Sequence, residues 1–155
     1  MRKAFSMLTA IFIIVLMATV AAFIVNLSGK MVQETTAQFQ REQSVLLAKS
    51  YTEYAIMAVT ANEHNSSNCL NTITGAYGDS DGDGVGDIYN INVNISYIGD
   101  TNLHANCNTL SNGVATEKSP LSIIVDVFVS YKDLDHPAGA GAPDITYHRR
   151  SLQKI

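Results

Sequence analysis

The sequence predicts an α+β fold in which one long N-terminal helix, half membrane-spanning and half amphipathic, packs on a small antiparallel β-sheet. Three observations carry that expectation. Phe5 to Val25 is a run of 21 residues without charge, proline or glycine. Residues 26–63 also lack proline and are dominated by good helix formers. Beyond residue 88, IYNINVNISYI and LSIIVDVFVSY alternate apolar and polar side chains, the period of a half-buried strand.

Residues 5–25 are long enough, at about 1.5 Å per helical residue, to cross a bilayer core. Arg2 and Lys3 precede the run, so the positive-inside rule keeps that end cytoplasmic and exports the remainder of the chain. A secretory signal has a shorter apolar region of about 7–15 residues. The stretch ATVAAF nevertheless offers small residues for cleavage around Ala18–Ala22. Residues 26–63 continue the helix, with Gly29 as its weak point. Leu47, Tyr51, Tyr54, Ala58 and Ala61 recur in steps of three and four, which predicts an apolar stripe for the sheet to cover.

Residues 64–155 form the exported head. Turn formers open it, in NEHNSSNC and GAYGDSDGDGVGD. In the first strand Ile91, Val93, Ile95 and Tyr97 share a face; in the second Leu121, Ile123, Val125, Val127, Val129 and Tyr131 do. Residues 99–120 read as a long loop, HPAGAGAP as a turn or flexible loop, and DITYHRRSLQ as the third strand.

The net charge is -4, and Asp79, Asp81, Asp83 and Asp87 supply four of the 14 acids. Without them acids and bases balance, so there is no basic face for nucleic acid. No local Ser–His–Asp or Cys–His nucleophile pattern occurs, which argues against an enzyme. Cys69 and Cys107 would lie in an oxidising space once exported, where a disulfide is the default. Such a bridge stabilises by about 3–4 kcal/mol in the chain-entropy model. The alternative is zinc, because His64 stands near Cys69 and His104 near Cys107.

The acidic loop 79–87, DSDGDGVGD, places Asp79, Asp81 and Asp83 at alternate positions and Asp87 beyond them. Gly82, Gly84 and Gly86 allow a tight turn that aims the carboxylates inward. Crowded carboxylates need a cation, and hard oxygen ligands suit a structural calcium, with the Val85 carbonyl as a further ligand. The start resembles an EF-hand loop, but position twelve is Asn90 rather than Glu, and no helix flanks it. A solvated acidic turn is the alternative. EHNSS fits an acid-x-Asn-x-Ser glycosylation pattern centred on Asn65. His136 and His148 read as isolated surface or strand residues. Arg149 and Arg150 read as a solvated strand edge, or as contacts for a partner's acidic face.

A short basic leader, a small residue, then Phe and an apolar helix resembles the type IV pilin and type II secretion pseudopilin family. Arg2, Lys3, Ala4, Phe5, Ser6, Met7 and Leu8 carry the likeness, with Ala4 where the family usually has Gly. The resemblance implies a leader of residues 1–4, cut between Ala4 and Phe5 by prepilin peptidase, and N-methylation at Phe5. It implies a single-pass protein of the bacterial inner membrane, its head in the periplasm or on a filament. Its partners would be other pilin-like subunits and an inner-membrane assembly platform. The family's fifth mature residue is usually a Glu thought to pair with a neighbouring subunit's amine; here it is Thr9, and the first acid is Glu34. That departure leaves the place in the filament open, as it does the choice between type II secretion and a type IV pilus. The rival readings are a membrane-anchored, calcium-dependent binding protein or adhesin that does not polymerise, and a secreted enzyme.

Overall fold

Nothing between Arg2 and Ala61 stops a helix, and α1 (Arg2–Ala61) runs through Gly29 without a break. The computed structural model describes residues 2–62, 68–79, 88–99, 107–111, 121–133 and 135–155. By packing, the chain has two units, Met1–Phe39 and Gln40–Ile155. In the first, the apolar side chains from Met7 to Val32 stand exposed around the helix. Its polar side chains bond back to their own helix. Thr19 donates to the Leu16 carbonyl, Asn26 to Ala22 and Ser28 to Ile24. A helix in hydrocarbon must satisfy its polar groups internally, and this one does so at those positions.

The second unit holds the sheet: β1 (Thr72–Tyr77), β2 (Tyr89–Gly99), β3 (Thr109–Ser111), β4 (Leu121–Lys132) and β5 (Asp144–Lys154). The order β1-β2-β4-β5 is antiparallel throughout, while β3 pairs in parallel with the end of β2. The alternating residues of β2 and β4 fall as their pattern requires. Ile91, Val93, Ile95 and Tyr97, and Leu121 through Tyr131 at every second position, are buried. They form one core with Ala48, Ala55 and Val59 of α1. Burying each large aliphatic side chain contributes about 1.5–3 kcal/mol relative to leaving it exposed.

The helix stripe differs from the expected one. Its buried line is Gln40, Ser44, Ala48, Thr52, Ala55 and Val59. Leu47, Tyr51 and Ala58 flank it, and Tyr54 and Ala61 are exposed. Small side chains, rather than the largest apolar ones, sit beneath the sheet because they let the backbone come close.

Two strands were hidden within turn-rich sequence. TITGAY forms β1 although GAY reads as turn, and TLS forms β3 within the expected loop 99–120. Gly75 belongs inside β1 because Tyr51 of α1 lies against its backbone. A Cβ there would collide with the Tyr51 phenol. Gly75→Ala should therefore lower stability by about 1–3 kcal/mol, the usual range for overpacking. Gly141→Ala, which points into open space, should stay within about 0.5 kcal/mol. Thermal unfolding of both variants, followed by circular dichroism of the full chain in detergent, checks the contrast.

Candidate functional site

The end of the sheet that carries the acidic loop is built on tyrosine. Tyr77, Tyr89 and Tyr131 stand in one row across β1, β2 and β4. Their ring centroids are 6.4 and 5.5 Å apart along that row. Tyr89 Oη lies 3.4 Å from the Gln40 carbonyl. Burial, with the neighbouring Tyr131 and Tyr77 hydroxyls, pushes the Tyr89 hydroxyl above its ordinary value.

Tyr77 and Tyr89 form the last pair of the β1–β2 hairpin, so the ladder holds both ends of the acidic loop together. Gly78 leaves β1 with φ +85°, where a Cβ would lie 2.9 Å from the Ile88 side chain. Asp79 follows it and is exposed. Asp81, Asp83, Val85 and Asp87 lie outside the described residues, as do His64, Asn65 and His104. Among the described residues no three His, Cys, Asp or Glu side chains converge as a metal-holding group. Asn90 is already inside β2, paired with Ala76 and Ser130, and the Ser130 hydroxyl donates to its carbonyl. The twelfth EF-hand position is therefore part of the sheet.

At the opposite end of β2, Cys69 and Cys107 are joined in a disulfide. Neither thiolate is free for zinc, which removes that alternative. Hydrogen bonds continue the staple. The Asn71 side-chain oxygen accepts from the Asn108 amide, and the Tyr97 amide donates to the Asn108 carbonyl. Tyr97 Oη donates to the Leu70 carbonyl at 2.8 Å.

The outer face of the sheet, away from α1, carries an ion cluster that the sequence pattern did not reveal. Asp126 of β4 faces Arg150 of β5 in the ladder, with Phe128 facing His148 beside them. Arg150 Nε donates to Asp126 Oδ1 at 2.7 Å and Nη2 to Oδ2 at 2.9 Å. His148 Nε2 donates to Oδ1 at 2.7 Å, and its ring stacks on Phe128 with centroids 4.4 Å apart. His148 is thus not isolated, and Arg150 is not a free solvated charge. The available signal was His-x-Arg on a strand, which puts both side chains on one face; the acid came from another strand. His136 has a local role: its Nδ1 accepts from the Ala138 amide in the β4–β5 connection.

The Arg150 hydrogen bond, helped by His148 and opposed by burial, holds the Asp126 carboxyl below the ordinary carboxylate range. The folded chain therefore takes up this proton at a lower pH than the unfolded chain. The stabilisation is fully present above the ordinary aspartate value and is lost as pH falls through the lowered folded value.

No family model matches the chain, and neither a curated protein nor a solved structure does. The class of protein defined by fold and site is thus a single long helix, apolar and exposed in its N-terminal half, followed by a disulfide-bonded α+β head. The helix is long and apolar enough to serve as a single-pass membrane anchor. Asp126→Asn should flatten the loss of stability below about pH 4, because it removes a group with a depressed folded-state pKa. Chemical unfolding across acid pH checks this; equal acid sensitivity in parent and variant would place the effect elsewhere.

Proposed function

We propose that the chain is a pilin-like structural subunit, a minor pseudopilin of a type II secretion system or a minor type IV pilin. It is inserted through α1 with its head outside the cytoplasm, trimmed between Ala4 and Phe5, and assembled by burial of its apolar helix among neighbouring subunits. The observation that carries this reading is the continuity and exposure of α1. The helix is apolar and uncovered from Met7 to Val32. Within the head it turns Leu46, Tyr54 and Met57 outward, each more than half exposed. An anchor needs only the first feature. Exposed apolar side chains on the part of the helix that also packs the sheet would suit a further protein partner.

Calcium belongs to the same proposal. The hairpin register brings both ends of loop 79–87 together, and its carboxylates with the Val85 carbonyl are hard oxygen donors suited to that ion. Asp79, Asp81, Asp83, Val85 and Asp87 would hold it, and the ion would supply charge neutralisation that braces the hairpin.

Mass spectrometry of the N-terminus, on protein from its native membrane, tests the filament reading. A chain beginning with N-methylated Phe5 is expected. A chain beginning with Met1 would replace the subunit by an anchored, non-polymerising binding protein, and one beginning near Ala22 would overturn both. For calcium, the melting temperature of the full chain in detergent should rise on adding calcium and fall back with chelator. The double variant Asp81→Asn, Asp83→Asn should lose that response; a parent protein indifferent to calcium would leave the loop a solvated turn.

A further inference from the structure

β5 is the terminal strand of the sheet. β4 pairs with one of its edges along its length, and among the described residues no strand pairs with the other. Its outer-face residues are exposed, and on the helix side Ile145 and Gln153 are exposed while Tyr147, Arg149 and Ser151 are half-buried. A free edge presents backbone N–H and C=O groups ready to pair with another extended chain.

The charge on this edge selects what pairs. β5 carries Arg149, Arg150 and Lys154 against a single acid, Asp144, in a chain whose net charge is -4. The two arginines are in different situations. Arg150 points to the outer face and is bound by Asp126. Arg149 faces the helix side, opposite Val127 in the ladder. Its Nε is buried without a hydrogen-bond partner, and among the described residues no carboxylate pairs with it. A buried donor left unsatisfied is costly, and more so when it carries charge. The side chain as a whole is only half-buried, so its positive charge stays within reach of an acceptor supplied from outside the chain.

A second copy of β5 in the full-length symmetric register does not fit. Arg149 is the middle residue of Asp144–Lys154, so symmetric antiparallel pairing would set Arg149 opposite Arg149. Like charges directly opposite destabilise a sheet. An acidic strand reverses the sign of that contact.

We propose that the free edge of β5 receives an extended acidic segment of another polypeptide, with a carboxylate on its helix-side face closing on Arg149. Backbone pairing supplies the register, and Arg149 selects the side chain. Ile145 and Tyr147 share the Arg149 face, so the segment alternates its acid with apolar residues on that side. This proposal does not depend on how the N-terminus is processed.

The test uses the full chain in detergent micelles and a fluorescent synthetic nine-residue peptide, Val-Thr-Glu-Thr-Val-Thr-Glu-Thr-Val, whose acid and apolar side chains alternate along one face. Saturable binding is expected. Replacing Glu by Lys in the peptide, or N-methylating its alternate backbone amides, should weaken binding by at least tenfold. Arg149→Gln should weaken it by about tenfold, or 1.4 kcal/mol, while Arg150→Gln should change it by less than about twofold, because Arg150 is already engaged. No binding at millimolar peptide overturns the proposal. So does binding that is insensitive to the charge swap, to N-methylation or to Arg149→Gln. The two peptide controls use the parent protein, so they stand even where a variant folds poorly.

Discussion

Close seating of α1 on the sheet sets the position of everything else in the head. Ser44, Ala48, Thr52, Ala55 and Val59 form a narrow line of small and β-branched side chains under the Val and Ile layer of β2 and β4. The hydroxyls on that line are satisfied within the helix: Ser44 donates to the Arg41 carbonyl and Thr52 to Ala48. Burial therefore leaves neither hydroxyl without a partner. Tyr51, at the flank, uses the missing side chain of Gly75 to reach β1. The approach distance of one helix thus decides where the β1–β2 strands and the tyrosine row stand.

How much of this could be read from sequence depended on how local the cause was. The helix was legible because nothing in residues 2–61 opposes it. β2 and β4 were legible because both alternate strictly over many residues. The buried helix stripe lies beside the expected one because apolar character at steps of three and four points to Leu47, Tyr51 and Ala58 at its flank, whereas the close contact itself is made at Ser44 and Thr52, whose polar side chains give no apolar signal. β1 was missed because Gly75, unfavourable for a strand in isolation, is required there by a side chain 24 positions earlier. β3 is three residues long, too short to show a period. The ion cluster needed the register of β4 against β5, which no local pattern supplies.

The solvent-facing parts of the molecule divide the work physically. From Met7 to Val32 the exposed surface of α1 is mainly apolar and non-directional. On the outer sheet face, Asp126 gathers three donors from β5 and cross-ties the last two strands by charge rather than by apolar burial. That tie fits the setting: with little apolar burial on β5, side-chain bonds to charged groups are among the stronger contacts available to hold an edge strand.

The disulfide sets a mechanical length as well as a stability. Cys69 and Cys107 are 38 residues apart and enclose the whole β1–β2 hairpin with its acidic loop. A pull applied between α1 and the C-terminal strand passes through the sulfur bridge and bypasses that segment. At about 3.4 Å per extended residue, roughly 130 Å of chain is withheld from stretching. A protein drawn out of a membrane by its helix would thus keep its hairpin loop unloaded, even with the remaining strands under tension.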